Sequence, residues 1–417
     1  MKIFPKISEK KMEEFLRKTA AANPKVTGEV LDMVPIRQKI RETERKTGCH
    51  IGHELIYGER SNGKTFQALA WSFYDCAMNG WNMSYIRATK EGFKGKNGRA
   101  LFEDLSTAGV IEFVTGGEYT GVQYYAQAWY LTKKVVDDKT GAIHIVRDDT
   151  QPFCWAIALS TWQTDKGFTL PNCFIHIFDE FVRKGAADPE EFDSFEQVKS
   201  TLVRQGATDR IIMLGNTVNK FSVYFRNMRL SKVVKDMEAG DMRIVINKSN
   251  EPGIVPDAGF LLYYSDEGLK TPKKSNLFFN YGSGKTNKMI TQGSWDMADY
   301  PHIGKDKRYA SSEVVFTFFI RWDEETLACD VVQRETCAYI AIHRKTGGIK
   351  HPDEDLVYDP DIYSIQPNWR RNLLRDFDDA KFESRMLDFF RRDLVYYQDN
   401  EVGDMVRAYL DWCIKLG

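Results

Sequence analysis

Residues 58–65 read GERSNGKT, between an apolar run at 53–57 (HELIY) and an amphipathic run that opens at Phe66. This fills every position of the pattern GxxxxGK[ST] between a strand and a helix, and nothing else in the chain constrains the fold as tightly. Gly58 and Gly63 let the backbone curl so that successive N–H groups converge on one point, which a Cβ would obstruct. Those donors stand at a helix N-terminus, whose partial positive charge favours an anion. Gly58, Glu59, Arg60, Ser61, Asn62, Gly63, Lys64 and Thr65 are therefore expected to cradle a phosphate chain. Lys64 reaches the β- and γ-phosphates, and Thr65 offers a hydroxyl to Mg2+. Apolar Phe66, Leu69, Ala70, Phe73 and Ala77 recur at helical spacing as far as Asn79-Gly80, which predicts the helix and its stop. A look-alike, YGSGKT at 281–286, has Phe279 where the first glycine belongs and no apolar strand just before it, so a surface turn is expected there.

The second signal is FIHIFDE at 174–180. A bulky run ending in two acids is the pattern of a buried parallel strand whose C-terminal end opens on a ligand crevice. Asp179 is expected to hold Mg2+ through its water shell and Glu180 to polarise the attacking water. His176, inside the run, is expected to be a satisfied core residue. Asn216, at the end of the apolar run 211–214, can bond a water or a phosphate oxygen, although turn formation is the commoner use of such an asparagine.

Taken in order, residues 1–48 predict a charged helical extension, with helices at 11–22 and 36–48 separated by breaks at Pro24 and Pro35. Residues 49–235 alternate strands and helices, which predicts an α/β domain built on a mostly parallel sheet. Its expected strands are 53–57, 83–87, 110–114, 156–159, 174–178 and 211–214, with a β-hairpin inserted at 119–149 around the turn DDKTG. A polar loop carrying Arg183 and Lys184 leads to a helix capped by Asp188, with Pro189 in its first position and Arg204 at its close. Residues 236–310 are loose and rich in Gly, Pro, Lys and Asn, as in a linker or small subdomain. Residues 311–417 predict three strands in sequence and then helices, an α+β domain of its own.

Of the 417 residues 42% are hydrophobic and 28% charged, with a net charge of −1, so any hold on nucleic acid must come from local basic patches. No apolar run is long enough for a membrane span, which points to the cytoplasm. Cysteines 49, 76, 154, 173, 329, 337 and 413 form no CxxC pair and are expected to be reduced thiols. The grouping of Cys49, His50 and His53 has no second ligand cluster to make it a metal site.

With the phosphate loop, the DE strand and the Asn216 turn in chain order, the sequence resembles the packaging ATPases of small tailed phages with protein-primed linear genomes, compact relatives of the large terminase subunit. The resemblance is carried by GERSNGKT, SYIRATK (84–90), WAIALSTWQTDK (155–166), FIHIFDEF (174–181) and LGNTV (214–218), and is weak in the last third. It implies an ASCE, RecA-like motor domain that uses ATP and Mg2+. It further implies a homomeric ring, pentameric in the manner of that family, on the portal of an empty procapsid, driving double-stranded DNA inward, with a packaging RNA as a further partner. The place of action would be the host cytoplasm, at the portal vertex, rather than the mature virion. By position, Arg204 would be a trans-acting arginine finger, Lys90 and Lys166 would serve phosphate or inter-subunit contacts, and Arg183 and Lys184 would lie in a DNA-gripping loop. In larger relatives the C-terminal domain is an RNase H-like nuclease. Here the strand 314–322 offers Arg321 and Trp322 where an acid is wanted, and 323–325 reads as a turn, so a vestigial, inactive nuclease domain is expected, with basic helices at 369–375 and 389–393. A RecA-like helicase or translocase shares the phosphate loop and the DE pair but does not account for WAIALSTWQ. A P-loop kinase has no need of Glu180 aimed at water.

Overall fold

Strands buried on both faces must be largely apolar, and six runs of this chain meet that condition and lie side by side in parallel. A computed structural model of the chain describes residues 4–22, 30–58, 62–162, 170–182, 189–203, 209–216, 222–249, 256–265, 299–362, 367–374 and 380–415. Helices α1 (Glu9–Ala22) and α2 (Met33–Thr47) precede β1 (His53–Gly58), α3 (Lys64–Asn79) and β2 (Asn82–Arg87). Short helices α4 (Lys96–Ala100), α5 (Glu103–Thr107) and α6 (Val110–Val114) lead to β3 (Gly121–Tyr125), β4 (Ala128–Val136), β5 (Ile143–Arg147) and β6 (Cys154–Ala158). Then come β7 (Cys173–Asp179), α7 (Pro189–Leu202), β8 (Arg210–Asn216), α8 (Val223–Asn227), α9 (Ser231–Lys235), β9 (Met242–Asn247) and β10 (Ala258–Ser265).

These strands form one sheet in the order β3-β4-β6-β2-β7-β8-β1-β10-β9, with β5 paired to β4. The stretch from β6 to β10 is parallel, and β4 and β9 run antiparallel to their neighbours. The domain is thus an α/β fold of the expected RecA-like type. The strand bearing the acids, β7, is separated from the phosphate-loop strand β1 by β8. α3 follows the predicted course. It ends at Gly80, whose φ of 72° suits a glycine and whose N–H donates to the Cys76 carbonyl. The hairpin expected at 119–149 is present as β4 and β5, with β3 added on the other side of β4.

Three expectations need correction. Val110–Val114 is a helix, not a strand, because a five-residue apolar run has no length to decide between the two, and Gly109 in the left-handed region starts the helical turn. The described part of residues 1–48 is more than an extension. Phe4, Met12, Leu16, Leu31, Met33, Ile36 and Ile40 belong to the same buried core as Phe73 and Ile177. Arg37 there bonds both Asp75 oxygens, at 2.6 and 2.8 Å, and Glu9 at 2.6 Å. Pro35 lies in the first turn of α2, where no intrahelical N–H is lost, so it breaks nothing. The stretch 236–310 is not simply a linker, since β9 and β10 extend the main sheet and β10 pairs directly with β1. The look-alike at 281–286 lies outside the described residues.

Contacts divide the chain into two compact units, the first Met1–Arg183, Glu190–Thr217 and Lys232–Trp295, the second Lys184–Pro189, Val218–Ser231 and Asp296–Gly417. The second unit has its own sheet. β11 (Val314–Trp322), β12 (Glu325–Gln333) and β13 (Ala338–Arg344) form the expected antiparallel meander. β14 (Val357–Tyr358) is parallel to β11, β15 (Trp369–Arg370) is parallel to β14, and β16 (Val395–Tyr397) is parallel to β13. Helices α10 (Ala380–Arg391) and α11 (Asn400–Lys415) complete it, with Met386, Val402, Met405, Val406 and Tyr409 packed among Phe318, Ile320, Cys329 and Ile342. The basic stretch at 369–375 starts as a strand rather than a helix, because Trp369 and Arg370 pair with Val357 and Tyr358.

Candidate nucleotide site

The C-terminal ends of the parallel strands meet along one edge of the first sheet. Gly58, Asn216 and Ser265 stand level in the register of β1, β8 and β10, and Asp179 is level with Leu214, two residues below Asn216. With strands about 4.8 Å apart, β7 lies about 10 Å from β1. That span leaves room for phosphates and a water between the loop and the acids.

The loop is built by close contacts. A Cβ on Gly58 would stand 2.1 Å from Ser265 Oγ, and one on Gly63, whose φ is 81°, would stand 2.6 Å from Val30 Cγ1. Only glycine fits at either place. Gly63 caps α3, and Lys64 is the first helical residue, so the helix N-terminus opens on the loop as predicted. Asn62 is buried, donates to Ser265 Oγ at 2.7 Å and accepts from Lys64 Nζ at 3.0 Å; its carbonyl takes the Leu31 N–H at 2.9 Å. Lys64 Nζ also donates to the Gly58 carbonyl at 3.3 Å. Thr65 is half-buried in the first turn of α3. Glu59, Arg60 and Ser61 lie outside the described residues.

On β7 the two acids are separated by the backbone. Asp179 is buried. Its Oδ2 accepts from the Tyr85 hydroxyl and, at 3.2 Å, from Arg87 Nη2, and its Oδ1 accepts the Glu180 N–H at 3.1 Å. Burial, and then the Asp179 charge, push the Tyr85 hydroxyl far above its ordinary value, so it remains a donor. Glu180 is exposed and has a φ of 60°, a left-handed conformation that costs a non-glycine residue about 1–2 kcal/mol. The turn swings its side chain out while the strand ladder resumes at once, Phe181 N–H donating to the Leu214 carbonyl at 3.3 Å. Gly215 makes room for this, since a Cβ there would stand 2.9 Å from the Phe181 ring.

The carboxylate of Asp179 suits a metal in one way. Its oxygens offer about four acceptor directions, of which three are filled. One direction remains for a water of a hydrated Mg2+, which fits the outer-shell role expected of Asp179 and not a bidentate ligand. Thr65, in the first turn of α3, is the other residue that would hold the ion.

His176 is fully buried, hydrogen-bonded to Ser84 Oγ at 2.8 Å and kept neutral by burial, which lowers its pKa to about 3. It is a core residue as expected but only partly satisfied, since its buried Nε2 has no hydrogen-bond partner among the described residues. Lys90 is exposed at the start of a short turn after β2. Lys166, Arg183, Lys184 and Arg204 lie outside the described residues. Sequence reasoning missed Tyr85, Arg87 and Ser265. The first two lie in the SYIRATK segment, but only strand pairing shows that they face Asp179; Ser265 sits in a stretch that read as a linker.

The family model of the podovirus DNA encapsidation protein (Gp16) matches residues 112–252. Over 74 residues the chain is 36% identical to the DNA packaging protein of Bacillus phage B103, a match that covers 17% of this chain and 23% of that protein. Against the DNA packaging protein of Bacillus phage phi29 the identity is 35% over 74 residues, 17% of this chain and 22% of the relative. The matches thus span about a quarter of those relatives' length. In fold, a chain of the bacteriophage Phi-29 viral genome packaging motor assembly superposes with a TM-score of 0.50 at 17% identity, covering 90% of this chain and 97% of that one. Over residues 112–252 the sequence is thus similar to that of the podovirus DNA encapsidation proteins, and the fold is similar to that of the packaging-motor chain.

Proposed function

We propose that the chain is the ATP-hydrolysing subunit of a motor that drives double-stranded phage DNA into a procapsid. The observation that carries this reading is the register of one sheet edge, with a phosphate loop on β1, an acid pair on β7 and Asn216 on the strand between them. The relatives' names supply the substrate, DNA, and the packaging role.

In this reading the loop N–H groups and Lys64 hold the β- and γ-phosphates, and Asn216 fixes a water or a phosphate oxygen. Mg2+, when bound at Thr65 and Asp179, neutralises phosphate charge. Glu180 orients the attacking water and takes its proton as the water oxygen bonds to the γ-phosphorus. The bond from that phosphorus to the bridging oxygen breaks, and its electron pair leaves with ADP. The strained turn at Glu180 is what separates this base from Asp179. Arg204 would supply a neighbouring subunit's site with transition-state charge. Lys90 and Lys166 would serve phosphate or inter-subunit contacts, and Arg183 and Lys184 would grip DNA. Ring assembly, five subunits, the portal, a packaging RNA and action in the host cytoplasm belong to the same proposal.

For the second unit we propose an RNase H-like fold without cutting activity. Arg321 Nη1 lies 3.0 Å from Asp359 Oδ2, a fixed cation on the acid at the junction of β11 and β14, where a catalytic metal would need unopposed carboxylates. Asp323 is buried in the expected turn after β11.

The test is ATP turnover by the purified chain with and without duplex DNA and empty procapsids. Phosphate release stimulated by duplex DNA, without strand separation, is expected. Transfer of the phosphoryl group to a small acceptor would put the kinase reading in its place.

A further inference from the structure

Asp179, the acid offered to a metal, already carries a cation of the chain itself. Arg87 Nη2 donates to Oδ2 at 3.2 Å, and the arm is pinned from a second side, Nη1 donating to the Gly92 carbonyl at 3.1 Å. Gly92 is shaped for the arm, because a Cβ there would stand 2.5 Å from Arg87 Cδ. The Arg87 side chain is 23% exposed, and its buried Nε has no hydrogen-bond partner among the described residues. Guanidinium does not lose its proton in a protein, so this charge is permanent. Within a few ångströms in a partly buried site it repels a divalent ion strongly. A triphosphate, with several negative charges, removes that conflict.

We infer that Arg87 is a positioning residue, an internal counter-ion that occupies Asp179 and keeps a divalent metal off it until a triphosphate arrives to hold both cations. This rests on the nucleotide-site reading above. Arg87 thereby orders the events, metal entering with nucleotide and not before it. Tyr85, which donates to the same oxygen, orients the carboxylate whichever cation is near.

The experiment titrates the full chain with Mn2+ in the absence of nucleotide and follows free Mn2+ by electron paramagnetic resonance. The wild type is expected to leave Mn2+ free into the millimolar range. Arg87→Gln is expected to bind Mn2+ at least ~10-fold more tightly, and adding Asp179→Asn to it should abolish the gain. Arg87→Lys keeps the charge and is expected to behave as wild type, with circular dichroism checking the fold of each variant. The inference is overturned if wild type binds Mn2+ as tightly as Arg87→Gln, if the gain survives Asp179→Asn, or if Arg87→Lys shows the same gain. A separate titration with a non-hydrolysable ATP analogue tells the two readings apart. Failure of the analogue to bind any variant would overturn the nucleotide site, whereas the Mn2+ series without nucleotide reports on Arg87 alone.

Discussion

Each of the two sheets ends in an acid held by an arginine, Asp179 with Arg87 and Asp359 with Arg321, and the two pairs are close in distance, 3.2 and 3.0 Å. What differs is their surroundings. Next to Asp179 is an exposed Glu180 turned outward by a strained backbone, and two strands away on the same sheet edge are a helix N-terminus at Gly63 and the Lys64 ammonium. Beside Asp359 the remaining donors are local. Asp361 N–H bonds Oδ1 at 2.9 Å, and Arg321 is 46% exposed and lies over the Trp369 ring at 5.7 Å. No group of three or more metal-ligating side chains that could hold an ion occurs among the described residues. In the proposed reading an acid and an arginine serve a site only where backbone donors and a second, separately aimed acid accompany them on the same sheet edge.

The comparison breaks most sharply at Gly58. Gly58→Ala forces a Cβ to within 2.1 Å of Ser265 Oγ and 2.6 Å of its carbonyl oxygen. It should cost about 2–4 kcal/mol of stability and at least ~100-fold in nucleotide affinity, read by denaturant unfolding and by titration with a fluorescent ATP analogue. Unchanged affinity would show that the loop is not the binding element.

Asp209 tests the other end of the first sheet. Its carboxylate is buried, has no hydrogen-bond partner among the described residues, and is raised by burial to about 6. A folded-state value above the unfolded one means that the protonated form stabilises the fold. That contribution is complete below pH ~4 and lost as pH rises through ~6. Asp209→Asn should therefore stabilise the chain at pH 7.5 by up to about 3 kcal/mol, at about 1.4 kcal/mol per unit, and the advantage should vanish near pH 4. A pH-independent difference would contradict it.

In the second unit Arg344 binds Glu325, Asp399 and Glu401 at 3.1, 2.6 and 2.7 Å. Arg344→Ala should cost this unit about 1–2 kcal/mol while leaving nucleotide affinity unchanged, since network ion pairs exceed isolated ones. Smallest of all is Arg321→Met, expected to shift stability by about 0.5 kcal/mol because the arginine of the pair is half exposed. A gain of metal-dependent DNA cutting in that variant would show that Arg321 is what silences Asp359.

The parts legible in the sequence were those encoded locally. The glycine loop, the helix that ends at Gly80, the FIHIFDE strand and the meander 314–344 each carry a pattern complete within one contiguous stretch of about thirty residues or fewer. What escaped depends on pairing between distant segments. FLLYYS (260–265) sits among Gly, Pro and Lys, and only its parallel register with β1 makes it a central strand. Ser265 becomes the partner of Asn62 by that register alone. Arg87 and Tyr85 face Asp179 because β2 and β7 are neighbours, a relation that no spacing within either segment expresses. The N-terminal helices misled by their charge, although Met12, Leu16, Ile36 and Ile40 join the main core and Arg37 is buried against Asp75.

The central claim is that Glu180, on its strained turn, activates water against a phosphate chain held by Lys64. The most direct measurement is single-turnover ATP hydrolysis by wild type and Glu180→Gln, with analogue binding measured on the same samples. The account predicts intact binding and a rate lowered by 10²-fold or more in the variant. A variant that hydrolyses ATP at the wild-type rate would contradict it.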